Sequence, residues 1–75
     1  MKIEIYSKNG CSYCTKAKDY FTNTLKQTYT EYTLGVNVTK ADIEARVGRE
    51  VRTVPQIWIN NEHIGGFTEL VKKFS

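Results

Sequence analysis

The chain has few of the residues that commonly stabilise a small protein by special means. Its 75 residues include two cysteines, one proline and one histidine. Cys11 and Cys14 have only two residues between them, so a disulfide joining them would restrict the unfolded chain very little. This spacing argues against a secreted scaffold held together by disulfides. We therefore expect ordinary packing to stabilise the fold and chemistry to account for the two cysteines.

The sequence also lacks long apolar runs and clustered charge. No run approaches the ~20 residues that cross a membrane, and the first residues have no apolar core of a signal peptide. The 11 basic residues exceed the 8 acidic ones, but they are scattered, unlike the basic stripe of a nucleic-acid-binding module. We expect neither a membrane nor a nucleic acid as partner, and a cytoplasmic location, where thiols stay reduced. The basic excess suits a small anionic ligand or an acidic partner.

Apolar residues are abundant, at 40% of the chain, and their spacing changes regularly along it. Alternating patterns predict strands at residues 2–6, 29–34, 56–59 and 62–64. Spacings of three and four predict helices at residues 12–26, between an N-cap at Thr39 and a stop at Gly48, and from about residue 68. The resulting order is β-α-β-α-β-β-α. The first two strands should be parallel, and the last two should form an antiparallel hairpin.

The two cysteines lie where the first strand turns into the first helix. Unpaired N–H groups and the positive end of the helix dipole stabilise an anion at this point, so we predict Cys11 as the nucleophile. Cys14 lies one turn further on, on the apolar side of the helix, which suits a resolving thiol. Lys8 would favour the thiolate of Cys11 electrostatically. The pattern thus meets the requirements of thiol–disulfide exchange.

Two other interpretations of the cysteine pair stay open. The cysteines could be ordinary residues at the edge of a core. A zinc site usually needs four ligands, whereas this chain offers two cysteines and His63, so zinc would require a second chain.

The chain resembles the glutaredoxins, members of the thioredoxin-fold superfamily, over nearly its whole length. The matching segments are YSKNGCSYC at residues 6–14, RTVPQ at 52–56, IWI at 57–59 and HIGGFTEL at 63–70. The cysteine pair alone is weakly specific, but its combination with the other segments is highly specific. The resemblance implies an α/β fold, the minimal thioredoxin fold, with a four-stranded mixed sheet and helices on both faces. It also implies a single glutaredoxin-like domain over residues 1–75.

The resemblance further implies glutathione as co-substrate and a cis peptide bond between Val54 and Pro55. The Val54 backbone would pair with the cysteine portion of glutathione in a strand-like manner. The γ-glutamyl carboxylate would lie on the N–H groups of Phe67 and Thr68, and the glycine carboxylate would meet Lys8. The implied glutathione-binding residues are Lys8, Tyr13, Thr53, Val54, Pro55, Gly66, Phe67 and Thr68. The competing roles are an N-cap for Thr68, packing for Tyr13, a solvated charge for Lys8 and a simple turn for Gly66.

The chain departs from the family pattern at three places. Ser12 stands where many members have proline, and some members with serine resemble iron–sulfur proteins in which two chains and glutathione share a cluster. Thr68 stands where an acidic residue is common. The basic residue of the second helix that would contact glutathione is either Lys40 or Arg46, and the sequence does not decide between them.

The predicted function is therefore that of a glutathione-dependent thiol–disulfide oxidoreductase. It would reduce protein disulfides and glutathione mixed disulfides without a metal, with Cys11 as nucleophile and Cys14 as resolving thiol. The resemblance implies glutathionylated or disulfide-containing protein partners, ribonucleotide reductase among the candidates, and a monomeric state. We predict His63 to be a strand residue without a catalytic role.

Overall fold

The structure, a computed structural model, describes all 75 residues. Its helices and strands follow the predicted order. They are β1 (Ile3–Ser7), α1 (Ser12–Asp19), a π-helical segment (Tyr20–Thr24), β2 (Thr30–Thr33), α2 (Lys40–Val47), β3 (Gln56–Ile59), β4 (Glu62–Gly65) and α3 (Phe67–Phe74). None of the helices combines the length and the apolar character that crossing a membrane requires.

The four strands form one mixed sheet in the order β2-β1-β3-β4. β1 runs parallel to β2 and antiparallel to β3, and β3 pairs antiparallel with β4. Asn60 and Asn61 join β3 to β4 with φ angles of 52° and 67°, a left-handed conformation that asparagine tolerates in a tight hairpin turn. The predicted parallel pair and the predicted hairpin are both present.

The helices cover both faces of the sheet. Ile3, Ile5 and Ile57 point to the face that α1 and α3 cover, where Phe21 and Leu70 are fully buried. Neighbouring strand residues point to the opposite face, which α2 covers. The core on that side consists of Tyr6, Val38, Ile43, Val51 and Trp58. Because helices lie on both faces, a charged strand residue such as Glu4 is buried as well.

The first helix differs from the predicted continuous α-helix at residues 12–26. The α-helix ends at Asp19, and the next turn is wider, with the N–H of Leu25 donating to the carbonyl of Tyr20 at 3.0 Å. This π-helical turn lets both Tyr20 and Leu25 pack against the cluster that contains Phe21. The chain then reverses at Lys26, whose φ is 55°.

The second helix begins and ends as predicted. The Thr39 hydroxyl accepts from the N–H of Asp42 at 3.2 Å, and the Asp42 carboxylate accepts from the N–H of Thr39 at 3.0 Å. This capping box satisfies two amides that have no partner within the helix. Gly48, with a φ of 91°, ends the helix in the left-handed conformation.

Candidate active site

Cys11 is the N-cap residue of α1. Its Sγ accepts a hydrogen bond from the N–H of Cys14 at 3.2 Å and lies 3.6 Å from the carbonyl oxygen of Val54. The side chain is partly exposed. A thiolate at this position would accept hydrogen bonds from the N–H groups of the first helical turn. The positive end of the helix dipole would stabilise its charge. The structure thus places Cys11 where the sequence predicts a nucleophile.

Cys14 lies one turn further along α1 and is 1% exposed. Burial raises the pKa of the Cys14 thiol to about 12, and the neighbouring Cys11 contributes in the same direction. The backbone of Lys8 and the ammonium of Lys18 act in the opposite sense. The two thiols therefore differ sharply in accessibility, with Cys14 the inner one, as its place on the apolar side of the helix predicts.

Two depressions that share lining residues adjoin one another, and Cys11 lines the larger of them. The larger has a volume of ≈ 470 Å³ and includes Lys8, Tyr13, Thr53 and Val54 in its lining, together with Cys11 itself. The smaller has a volume of ≈ 240 Å³, and its lining includes the remaining predicted residues, Pro55, Gly66, Phe67 and Thr68. Tyr13, Thr53 and Val54 line both depressions. The structure thus brings all eight predicted glutathione-binding residues to one surface next to the outer thiol.

The segment before β3 presents backbone groups to this surface. The Val54–Pro55 peptide bond is cis, as expected. The N–H of Val54 donates no hydrogen bond within the protein. The side-chain amide of Gln56 donates to the carbonyl of Thr53 at 2.9 Å and so ties this segment to the first residue of β3. The N–H of Val54 is thus available where a strand-like ligand would pair, and its carbonyl oxygen, which meets only the Cys11 thiol, keeps a second lone pair for such a ligand.

His63 supports the same segment from β4 and does not line either depression. Its Nε2 lies 2.7 Å from Oε1 of Gln56, and its ring stacks on Trp58 with 4.6 Å between centroids. Burial lowers the pKa of His63, and the charges of Arg49 and Arg46 lower it further. We assign the proton to Nε2, because the amide oxygen of Gln56 can only accept. His63 therefore has a structural contact and no contact with Cys11.

The N-terminus of α3 faces the smaller depression. Gly66 is the N-cap residue, and its N–H donates to Oε1 of Glu69 at 2.7 Å. Phe67 and Thr68 are the first two residues of the helix, and their N–H groups have no partner within the protein. The alternative that Thr68 is merely the N-cap is therefore wrong, because the helix begins earlier. Unpaired N–H groups at a helix start bind carboxylates well.

Tyr13 lines both depressions and is 56% exposed. Its ring lies 6.1 Å from that of Phe67, between centroids, and the ammonium of Lys16 lies 4.9 Å from its centroid. A packing aromatic would be buried, so the exposure of Tyr13 favours a role in contacting a ligand. It is one of three large hydrophobic side chains that the fold leaves exposed.

The structure separates the two basic residues that the sequence could not rank. Lys40 lines the larger depression. Arg46 lies on the other side of α2, where its guanidinium donates to both carboxylate oxygens of Glu4 at 2.8 and 2.9 Å and to the hydroxyl of Tyr6 at 3.0 Å. It also lies against the ring of Trp58, 4.4 Å from the centroid. Only Lys40 is placed to meet a ligand.

Arg52 also lines the larger depression, but its side chain is 82% exposed and is paired with Glu50 at 2.8 Å. The exposed ion pair indicates a surface role for Arg52.

Sequence reasoning missed one polar cluster near the cysteines. The hydroxyl of Ser7 donates to the carboxylate of Glu31 at 2.6 Å, and the same oxygen accepts from the ammonium of Lys18 at 3.0 Å. These residues belong to β1, β2 and α1, so no local pattern points to the cluster. The strand predicted at residues 2–6 stops short of Ser7, whereas Ser7 is the last residue of β1 and is 1% exposed.

No group of three or more His, Cys, Asp and Glu side chains comes together in this chain in the manner of a metal site.

Comparison with known proteins identifies the family. The glutaredoxin family model matches residues 3–64. A glutaredoxin from Vibrio cholerae is 39% identical over 75 residues, an alignment that covers 92% of this chain and 85% of that protein. The chain belongs to the glutaredoxin family. Glutaredoxin 1 from Escherichia coli is 35% identical over 74 residues and shows the same relationship, with 92% of this chain and 87% of that protein covered.

Solved glutaredoxin structures share the fold. Glutaredoxin 1 from Francisella tularensis, complexed with cacodylate, superposes with a TM-score of 0.82 at 34% identity, covering 97% of this chain and 91% of the other. A glutaredoxin–glutathione complex from buckwheat gives a TM-score of 0.81 at 29% identity, covering 96% of this chain and 66% of the other. The fold is thus the predicted thioredoxin-like one, and as a glutaredoxin this protein is a thiol–disulfide oxidoreductase.

Proposed function

We propose that this glutaredoxin uses glutathione to reduce protein disulfides and glutathione mixed disulfides, with Cys11 as nucleophile and Cys14 as resolving thiol. The observation that carries the proposal is the position of Cys11. Its partly exposed thiol caps α1, lies 3.6 Å from the carbonyl of Val54 and lines the larger depression. A nucleophile is thereby placed directly beside backbone groups that can hold a peptide substrate.

Glutathione would occupy the two depressions with its sulfur at Cys11. Its cysteine portion would pair with the backbone of Val54, whose N–H is unpaired. Its γ-glutamyl carboxylate would accept from the N–H groups of Phe67 and Thr68, and its glycine carboxylate would meet Lys8 and Lys40. The buckwheat glutaredoxin–glutathione complex, which shares this fold, supports glutathione as the ligand.

In the dithiol route, the thiolate of Cys11 attacks one sulfur of a substrate disulfide. The Cys11–substrate bond forms, and the other sulfur leaves as a thiolate that takes up a proton. Cys14 then attacks Sγ of Cys11, forms the Cys11–Cys14 disulfide and releases the reduced substrate. Two molecules of glutathione reduce that disulfide and are themselves oxidised to glutathione disulfide.

In the monothiol route, Cys11 attacks the glutathione sulfur of a glutathionylated protein, and the protein leaves as a thiol. A second glutathione attacks the Cys11–glutathione bond, which yields glutathione disulfide and regenerates the Cys11 thiolate. Cys14 takes no part in this route.

The test is reduction of a small glutathione mixed disulfide by wild type, Cys11→Ser and Cys14→Ser under identical conditions. We expect activity in wild type, none in Cys11→Ser and retained monothiol activity in Cys14→Ser. Activity in Cys11→Ser would overturn the mechanism. A double variant that keeps affinity for a partner protein, with no turnover in wild type, would instead indicate a binding module. A coloured dimer containing glutathione after anaerobic purification would indicate cluster binding.

We further propose that the protein acts as a cytoplasmic monomer of one domain on glutathionylated or disulfide-containing proteins. The scattered charge and the lone cysteine pair support this setting. Ribonucleotide reductase is one candidate acceptor, and a coupled assay with that enzyme tests it. Light scattering of the reduced protein at several concentrations tests the oligomeric state, since a monomer keeps a constant mass.

A further inference from the structure

One peptide group of the candidate active site is held by side chains that lie outside it. The proposed pairing with glutathione uses the N–H of Val54, which shares a peptide group with the carbonyl of Thr53. The side-chain amide of Gln56 donates to that carbonyl at 2.9 Å. Gln56 and His63 line neither of the two depressions that would hold glutathione, but together with Thr53 they line a third, of ≈ 450 Å³. Gln56 therefore contacts the peptide group from a side that the ligand does not occupy.

The planarity of the peptide group carries this contact to the ligand. Val54–Pro55 is the only cis peptide bond, so the Thr53–Val54 bond is trans. In a trans peptide group the C=O and the N–H are coplanar and point in opposite directions. The N–H of Val54 has no partner within the protein. A carbonyl of Thr53 that is fixed toward Gln56 therefore fixes the free N–H of Val54 in the direction away from Gln56.

His63 determines which way the amide of Gln56 is turned. A carbonyl oxygen only accepts, so the NH₂ group of Gln56 must face Thr53 and its Oε1 must face away. Oε1 lies 2.7 Å from Nε2 of His63, which carries the proton in this arrangement. The ring of His63 is held in turn by stacking on the buried Trp58. A reversed amide would bring its oxygen against the carbonyl of Thr53, and neither hydrogen bond would form.

We propose that Gln56, oriented by His63, is a positioning residue that aims the N–H of Val54 at the cysteine portion of glutathione. The inference rests on the proposed function, in which that portion pairs with Val54. The hydrogen bond to the carbonyl of Thr53 also polarises the N–H of the same peptide group, which strengthens it as a donor. Gln56 thus acts on one hydrogen bond to the ligand and leaves the reactivity of the Cys11 thiol unchanged.

The expected size of the effect is that of one hydrogen bond to the ligand. Without Gln56 the peptide group of Thr53 and Val54 can rotate, and the ligand loses a well-directed N–H. One net hydrogen bond corresponds to a change of about fivefold in a rate or equilibrium constant. Gln56→Glu keeps the size of the side chain and an acceptor for His63, but it places a carboxylate oxygen against the carbonyl of Thr53. Its effect should therefore be at least about fivefold.

A comparison of two disulfides separates recognition of glutathione from the reactivity of Cys11. The reference chain is Cys14→Ser, in which the reaction stops at the adduct on Cys11. It is mixed with glutathione disulfide or with dithiobis(nitrobenzoate), an aromatic disulfide that has the same net negative charge at neutral pH but no peptide groups. Gln56→Glu is made in this chain. Gln27→Glu, between the π-helical segment and β2, is the control that changes the net charge equally.

A second pair of variants tests the orienting residue. His63→Phe keeps an aromatic ring for stacking on Trp58 and removes the donor to Gln56, whereas His63→Gln keeps a donor. We expect His63→Phe to slow the reaction with glutathione disulfide, by less than Gln56→Glu does, and His63→Gln to restore the reference rate. A rate in His63→Phe equal to that of the reference chain refutes the role of His63.

We expect Gln56→Glu to slow the reaction with glutathione disulfide at least about fivefold and to leave the reaction with the aromatic disulfide unchanged. In the glutathione adduct, hydrogen exchange followed by NMR should show the N–H of Val54 protected in the reference chain and unprotected in Gln56→Glu. Equal rates of Gln56→Glu and Gln27→Glu with glutathione disulfide refute the role of Gln56. Equal slowing with both disulfides also refutes it, because the change would then lie in the fold or in the thiol.

The same measurements test the proposed function separately. Free N-acetylcysteine gives the ratio of the two rates for a thiol without a binding surface. A reference chain that favours glutathione disulfide no more than N-acetylcysteine does would refute the proposed glutathione binding itself, and the inference would fall with it.

Discussion

Replacing Arg46 by methionine should destabilise the fold without weakening glutathione binding. Arg46 pairs with both carboxylate oxygens of Glu4, and the side chain of Glu4 is only 8% exposed. Arg46→Met keeps much of the aliphatic packing against Trp58 but leaves the Glu4 carboxylate buried without a cation. A buried charge that loses its partner costs far more than a surface charge does.

The expected loss is large compared with the total stability. Breaking a buried pair costs about 3–5 kcal/mol, and the 26% exposure of Arg46 reduces this to about 2–4 kcal/mol. A chain of 75 residues has a free energy of unfolding of about 4–11 kcal/mol. At about 4–8 °C per kcal/mol, the thermal midpoint should fall by at least about 8 °C.

Urea unfolding followed by circular dichroism measures the loss. Arg52→Met is the matched control, because Arg52 forms an exposed pair with Glu50 and its loss should cost under about 1 kcal/mol. The double variant Glu4→Gln/Arg46→Met should recover much of the stability, since no unpaired charge stays buried.

The pH dependence provides an independent check on the same pair. The contact with Arg46 holds the pKa of Glu4 below its usual range in the folded state. The stabilisation is therefore complete above the unfolded pKa of about 4.3 and is lost as the pH falls through the lower folded value. The difference between wild type and Arg46→Met should shrink in acid. An Arg46→Met variant as stable as Arg52→Met, or one with weakened glutathione binding at normal stability, would refute this assignment.

Two further predictions concern the ligand surface. Lys40→Met should raise the KM for a glutathione mixed disulfide several-fold with little change in kcat, because Lys40 lines the larger depression. Steady-state kinetics measure both constants. An unchanged KM would exclude a contact between Lys40 and the ligand. Gly65→Ala should lower the free energy of unfolding by about 1–3 kcal/mol, since the residue has a φ of 115° and an added Cβ would lie 2.9 Å from Cγ of Glu69. Urea unfolding at equilibrium measures that loss, and wild-type stability would show that the backbone relaxes.

Much of the fold follows from local sequence patterns because each element carries its own signal. The Thr39 cap and the Gly48 stop delimit α2, and Asn60–Asn61 marks the hairpin. The end of α1 could not be predicted in this way. Spacings of three and four fit a regular α-helix, whereas the π-helical turn at Tyr20–Thr24 depends on packing against strands that are distant in sequence.

The candidate site divides in a similar way. The residues of the predicted surface were found because they belong to motifs with family-specific spacing. Whether Lys40 or Arg46 contacts glutathione could not be decided from the sequence. The choice depends on which side of α2 faces Glu4, and only the structure shows this. The cluster of Ser7, Lys18 and Glu31 joins three elements through side chains alone. Such contacts leave no periodicity for sequence reasoning to detect.

The burial of Cys14 one turn behind a partly exposed Cys11 also bears on oxidative damage. Hydrogen peroxide would reach Cys11 first and convert it to a sulfenic acid. Cys14 could then condense with that group, forming the internal disulfide and releasing water, before a second peroxide produced an irreversible sulfinic acid. The inner thiol would thus protect the outer one from overoxidation and leave it in a form that thiols can restore.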